Sequence, residues 1–213
     1  MQLADRLMGC YSGAVYDVLR ELGVADCVLP KAIRPVDPLR RMAGPAFTMT
    51  GERVQLDAHT TLMRWTEFLS RAPSGAVVVC QPNDDVLAHM GELSSETLAH
   101  KGVRGYVVDG GSRDTEFVLR LGFPVFCRYQ TPMDIVGRWV PTAFEQPVVI
   151  GQVTIHPADL IFGDIDGVVV IPGALAEKVV ARVEEVMSTE NLVRKAILAG
   201  TDPQAAYLAH GLF

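Results

Sequence analysis

A chain of 213 residues is long enough to bury a sizeable core in one domain, and 49% hydrophobic against 21% charged residues argues against a disordered polymer. The net charge is −6, and Lys and Arg are scattered along the chain. No basic stripe of the kind a nucleic-acid binder carries is present, so no nucleic-acid partner is expected. The longest uncharged apolar runs, at 75–80 and 167–176, are too short to span a bilayer, so no membrane association is expected either. The start "MQLADRLMGC" has no basic region followed by an apolar core, so no signal peptide is expected. Cys10, Cys27, Cys80 and Cys127 are far apart without CxxC spacing and read as free thiols of a cytoplasmic protein.

In chain order, "SGAVYDVLRELG" (12–23) has helical periodicity, with Ser12 as N-cap and Gly23 as stop. A Pro-rich connection (29–38) leads to a strand-like "GPAFTMTG" (44–51) and a second helix over 57–70. A repeated rhythm follows: strand 75–80, helix 91–102, strand 105–110, helix 114–122, strand 123–129. Short apolar strands alternating with helices of this length predict βαβ units. Residues 147–172 contain no helical segment and read as short strands joined by tight turns, with "GDIDG" (163–167) as a hairpin turn. A long helix over 174–199 and a short one over 203–210 close the chain. The absence of repeats and linkers predicts a single α/β domain over 1–213.

Two strand-to-helix junctions carry the chemistry: "QPNDDVLAHMGELSS" (81–95) and "DGGSRD" (109–114). Ligands of such folds collect at the carboxyl ends of parallel strands, where helix N-termini point free N–H groups outward. The N–H groups of Gly91, Glu92, Leu93 and Ser94 can bind a carboxylate. Arg113 adds a forked, permanently charged donor for the same anion or a developing oxyanion. Asp114 and Glu92 are hard oxygen donors suited to Mg²⁺ or Mn²⁺, and Gly110–Gly111 give the backbone room. Together these groups suit a 2-oxo acid. Asp114 is equally placed to be an ordinary N-cap, and Arg113–Asp114 to be a surface ion pair. Asp164 and Asp166 read as turn residues, and Glu190–Arg194 as a routine i,i+4 helix pair. The five histidines show no metal spacing and read as surface or capping residues. Lys101, at a helix end, reads as a dipole partner rather than a Schiff-base lysine.

The stretch "MGELSSETLAHKGVRGYVVDGGSRDTEFVLRLGFPVF" (90–126) resembles the family of class II 4-hydroxy-4-methyl-2-oxoglutarate (4-carboxy-4-hydroxy-2-oxoadipate) aldolases. The regulator of ribonuclease activity A belongs to the same family. The likeness extends to "SGAVYDVLRELG", "HPADLIFGDIDGVVVIP" (156–172) and the tail "ENLVRKAILAG" with "AYLAHGLF" (206–213). It implies a β/β/α swivelling-type domain with C-terminal helices, assembled as a homotrimer or homohexamer with sites between subunits. It implies Asp114 as direct metal ligand, Arg113 on the pyruvyl carboxylate and keto oxygen, and the Gly91–Ser94 amides on the carboxylate. By the same resemblance, Glu92 binds metal waters and Glu190 is the acid supplied by a neighbouring subunit. The ribonuclease regulators lack the complete Arg–Asp arrangement that this chain keeps. The expectation is a divalent-metal lyase that releases pyruvate from 4-hydroxy-2-oxo acids, with oxaloacetate decarboxylation as a side activity. The alternative is a non-catalytic regulator of an RNA-processing partner. An anionic distal half of the substrate would be sought near Arg128 or Arg138.

Overall fold

The computed structural model describes residues 2–211; Met1, and Leu212 and Phe213 of the tail quoted above, lie outside them. A short helix absent from the sequence reading, α1 (Leu3–Leu7), precedes α2 (Ser12–Glu21), which buries Ala14, Val15, Val18 and Leu19. Ser12 is not the N-cap. Tyr11 holds that position, and Ser12 donates its backbone N–H and its hydroxyl to Asp164, each at 2.8 Å. The helix start is satisfied by a distant strand end, which no local pattern reveals.

Next come β1 (Arg34–Pro35), the long β2 (Met42–Arg53) and α3 (Ala58–Arg71), whose N-cap Asp57 accepts from the Thr60 N–H. The expected rhythm then appears as β3 (Val77–Gln81), α4 (Glu92–His100), β4 (Gly105–Val108), β5 (Gly111–Ser112) and α5 (Thr115–Leu121). It ends with β6 (Val125–Cys127) and β7 (Tyr129–Gln130). A strand not anticipated, β8 (Trp139–Phe144), precedes two hairpins: β9 (Val148–Ile150) with β10 (Val153–Ile155), and β11 (Leu160–Asp164) with β12 (Gly167–Ile171). The tail is α6 (Ala176–Leu198) and α7 (Pro203–His210).

Eight of the described strands form one sheet in the order β1-β6-β4-β3-β2-β11-β12, with β8 along β2. Strands β2, β3, β4 and β6 run parallel, as βαβ units require; β1, β8, β11 and β12 join antiparallel. Pro45, lacking an N–H, stands at the end of the β11 ladder opposite Leu160, and the β3 ladder starts at Ala46. Arg34, on β1 at one edge, donates to the Asp166 carbonyl at 2.7 Å, in the turn that leads to β12 at the other edge. The sheet is thereby nearly closed.

Alternate residues of β3 face two buried layers. Val78 and Cys80 pack with Trp65, Phe68, Leu98 and Trp139 beneath the helices, whereas Val77 and Val79 pack with Phe126, Ile150 and Ile155 against the β9–β10 hairpin. Burial on both faces explains why the run 75–80 reads as continuously apolar rather than alternating. A third cluster seats α1, α2 and α6 on Phe162, Val169 and Ile171. Hairpin, sheet and helices give the β/β/α layering. All four cysteines are free and buried. Burial pushes the Cys80 thiol up to about 12 and that of Cys127 to about 11, so both stay protonated and unreactive. Among the described residues, no helix is long and apolar enough to cross a membrane.

Candidate functional site

The parallel pairing of β3 with β4 sets the two βα junctions side by side. The pairing then continues beyond the strands, through the loops. His89 N–H donates to the Gly111 carbonyl at 2.8 Å, and Arg113 N–H to the Met90 carbonyl at 2.9 Å. Ala88 N–H donates to the Met133 carbonyl at 2.7 Å and so draws in a third loop, which carries Asp134. Gly110 and Gly111 permit this approach, but the room they leave is for protein rather than ligand. A Cβ at Gly110 would lie 2.8 Å from His89 Nδ1, and one at Gly111 would lie 2.6 Å from the Leu87 carbonyl oxygen.

Asp114 opens α5 in the left-handed conformation, φ 54° and ψ 38°. That costs a residue with a Cβ about 1–2 kcal/mol, although Asp tolerates it better than most. Its side chain makes no capping bond to its own helix. It turns instead to the neighbouring helix, where Oδ2 accepts the Glu92 N–H at 3.0 Å. The first bond within α4 runs from Ser95 N–H to the Gly91 carbonyl, so the N–H groups of Leu93 and Ser94 are the ones left pointing out of the helix end. Of the amides proposed from sequence as carboxylate donors, that of Glu92 is already engaged. Gly91 is extended, and its constraint is contact: a Cβ there would lie 2.5 Å from Asp114 Oδ2 and 3.1 Å from Arg113 Cγ.

Arg113 is bracketed by two acids. Its Nε lies 3.4 Å from Asp114 Oδ2, and its Nη1 lies 3.4 Å from Asp134 Oδ2. These groups are more than a third exposed, so the pairs contribute at most about 1 kcal/mol each and act mainly to orient the guanidinium. Trp65 Nε1 donates to Ser94 Oγ at 2.9 Å, tying α3 to the start of α4. At the other end of α4, Lys101 donates to the Ser70 carbonyl at 2.7 Å, at the end of α3 rather than of its own helix. Residues Gly91 to Ser94 line, with Trp65, Arg113, Asp114 and Asp134, a cleft with a volume of about 320 Å³, which suits a small ligand.

The structure thus brings Gly91, Glu92, Leu93, Ser94, Arg113 and Asp114 to one cleft and adds Asp134 and Trp65, which the sequence reading did not single out. Asp134 had one local signal: its Oδ1 accepts the Val136 N–H at 3.1 Å, the turn that Asp favours two residues ahead. That signal marks a turn, not a site. Glu190 does not line this cleft in its own chain. It lies on α6, accepts the Tyr11 hydroxyl proton, and borders a separate depression with Val193, Arg194 and Ile197. Burial and that hydrogen bond push Tyr11 up to about 12. The Glu190–Arg194 pair is replaced by Arg194 donating to Asn191 at 2.5 Å.

His89 departs from its expected surface or capping role. It is fully buried behind the cleft, edge-on to Trp139 with ring centroids 4.9 Å apart, and its Nε2 lies 3.4 Å from Asp84 Oδ2. Burial, only partly offset by the Asp84 carboxylate, pulls its pKa from 6.5 down to about 4. Between those values the unfolded chain binds a proton that the folded chain does not. Stability is therefore unaffected by this group above pH 6.5 and falls as pH drops towards 4, by about 2–3 kcal/mol. Denaturant unfolding at pH 7 and 4.5 should show a larger acid loss for wild type than for His89→Gln. Equal losses would contradict the assignment.

A family profile described as "RraA-like: Aldolase/RraA" matches residues 12–170. The chain belongs to this family. Protein DlpA of Legionella pneumophila subsp. pneumophila is 28% identical to it over 208 residues, covering 96% of the chain and 33% of DlpA. The chain therefore spans about a third of that relative's length. A protein of Halalkalibacterium halodurans, named "Putative 4-hydroxy-4-methyl-2-oxoglutarate aldolase", is 29% identical over 180 residues, covering 84% of this chain and 83% of the relative. Streptomyces coelicolor RraAS2, described as an unusual member of the RNase ES inhibitor RraA protein family, has a solved structure that matches with a TM-score of 0.81 at 29% identity. The match covers 91% of this chain and 96% of RraAS2. The RraA-like fold, with its β/β/α layers, βαβ units and C-terminal helices, is shared between them.

Proposed function

We propose that this RraA-like chain is a divalent-cation-dependent lyase that cleaves 4-hydroxy-2-oxo acids and releases pyruvate, with oxaloacetate decarboxylation as a weaker accompanying activity. The observation that carries the reading is the convergence of the Asp114 carboxylate, the Arg113 guanidinium and the N-terminus of α4 in one cleft, through hydrogen bonds between two βα loops. The aldolase name of the Halalkalibacterium halodurans relative supports it.

The residues present suit a hard cation that keeps several waters. Asp114 Oδ2 is taken by the Glu92 amide and faces Arg113, which leaves Oδ1 as a single direct ligand. Glu92 and Asp134 line the same cleft as acceptors for waters. No group of three His, Cys, Asp or Glu able to hold a metal occurs among the described residues, so substrate and water oxygens would complete the shell, as is usual for Mg²⁺. When bound, the cation supplies positive charge to the carboxylate and keto oxygens of the 2-oxo acid.

The chain's own groups do the rest. The Leu93 and Ser94 N–H groups hold the C1 carboxylate. Arg113 donates to the C2 oxygen and stabilises the negative charge that gathers there as the C3–C4 bond breaks. Glu92 orients a water that takes the proton from the C4 hydroxyl, so that C4 leaves as a carbonyl; a proton returned to C3 of the enolate gives pyruvate. Glu190 of a neighbouring subunit is the second acid proposed for this transfer, in a homotrimer or homohexamer. Exposed Leu198 and Leu208 on the C-terminal helices, 81% and 75% accessible, support packing against another copy.

Pyruvate release from 4-hydroxy-2-oxopentanoate and 4-hydroxy-4-methyl-2-oxoglutarate, followed with lactate dehydrogenase, tests the reading. Activity lost on chelation and restored by Mg²⁺ or Mn²⁺ is expected. No release from either acid with either cation would sink it. The second reading, a non-catalytic regulator of an RNA-processing enzyme, rests on the description of RraAS2. It predicts no turnover and full tolerance of Asp114→Ala.

A further inference from the structure

Ser94 brings a side chain as well as an amide to the cleft, and that side chain is held by a partner that can only donate. Trp65 Nε1 donates to Ser94 Oγ at 2.9 Å. An indole nitrogen is a donor and never an acceptor, so the direction of this bond is fixed and Oγ receives it. The hydroxyl proton is thereby turned away from Trp65. A serine or threonine within a helix often returns its proton to the carbonyl one turn back, as Thr97 does to Leu93 at 2.7 Å. Ser94 is only the third residue of α4. The carbonyls behind it already accept backbone bonds, that of Gly91 from Ser95 and that of Met90 from Arg113. Among the described residues, the Ser94 hydroxyl proton has no acceptor. Because Cα–Cβ bonds tilt towards a helix's N-terminus, the hydroxyl leans to the open end of α4, where the Leu93 and Ser94 N–H groups point.

Resting on the 2-oxo-acid reading above, we propose that the Ser94 hydroxyl is a further donor to the C1 carboxylate of the ligand, and that Trp65 is the positioning residue that aims it. Both residues line the cleft. Trp65 is 7% exposed, and its ring is packed at 4.9 Å from Phe68 and 6.1 Å from Trp139, so its N–H keeps one direction. A carboxylate has lone pairs to spare for a third donor beside the two amides. A hydroxyl that accepts from an indole is polarised and donates more strongly, and a rotor fixed beforehand loses less freedom when the ligand binds. The C1 carboxylate keeps its charge throughout cleavage, so this contact serves ground state and transition state alike.

Calorimetric titration of the full chain with pyruvate, Mg²⁺ present, tests the pair. Ser94→Ala should weaken binding about tenfold, and Ser94→Thr, which keeps a hydroxyl, should recover most of the loss. Trp65→Phe keeps an aromatic ring but removes the N–H, and should weaken binding about threefold. Since Trp65 acts through Ser94, Trp65→Phe should cost nothing further in the Ser94→Ala background. In turnover of 4-hydroxy-4-methyl-2-oxoglutarate the losses should lie in KM, with kcat within about twofold of wild type. A merely structural tie between α3 and α4 predicts lowered melting temperatures and additive losses without that split. Unchanged pyruvate affinity in Ser94→Ala, or additive losses in the double variant, overturns this inference and leaves the 2-oxo-acid reading in place. No binding of pyruvate by wild type overturns the reading itself, and this inference with it.

Discussion

Asp114→Asn should lower kcat/KM for pyruvate release on the order of a hundredfold or more, with little change in folding. Asparagine tolerates the left-handed conformation that residue 114 adopts, and its amide oxygen can still accept the Glu92 N–H. The start of α4 should therefore stay in place while the charge that would hold a divalent cation is lost. Asp114→Ala adds a second fault, since the Glu92 amide loses its acceptor and the backbone its tolerance of positive φ. The order of activity should be wild type, then Asn, then Ala. Full cation-dependent turnover in the Asn variant would remove Asp114 from the site.

Arg113 should show the second large effect. Arg113→Ala is expected to lower kcat and kcat/KM together, by about 10²–10³, because its contact with the C2 oxygen strengthens as charge builds there. Arg113→Lys should recover only part of the loss. Lysine is a point charge and cannot face Asp114 through one nitrogen and Asp134 through another while keeping a donor for substrate. Guanidinium ion added to the alanine variant should restore part of the turnover. A merely structural arginine would show an altered melting temperature and no such rescue.

The βα rhythm was legible in the sequence because glycines punctuate it. Gly102 and Gly122 end α4 and α5 with φ of 77° and 70°, as a left-handed stop requires. The hairpin at 163–167 was legible for the same kind of reason. Helix α1 is only five residues long, too short for periodicity to register. Strand β8 contains Pro141, a residue that reads against a strand, so its pairing with β2 decides it. Asp164 sits in the expected turn, yet its side chain is buried and serves Ser12 across the fold.

At the site, the spacing of "GELS" and "SRD" on consecutive βα units was enough to place both in one cleft once β3 and β4 are neighbours. The means of convergence was not legible. The bonds from His89 to Gly111 and from Arg113 to Met90 join residues more than twenty positions apart, and they are backbone bonds that no side-chain pattern encodes. Asp134 arrives from a third loop through the Ala88–Met133 bond. Its pairing with Arg113 and Arg138 together is a property of the assembled cleft.

Binding of Mn²⁺, followed by its electron paramagnetic resonance signal in the presence of pyruvate, tests the central claim most directly. Wild type should hold one tightly bound ion per chain, and Asp114→Asn should hold it at least about tenfold more weakly. Equal Mn²⁺ affinity in the two proteins would contradict the account.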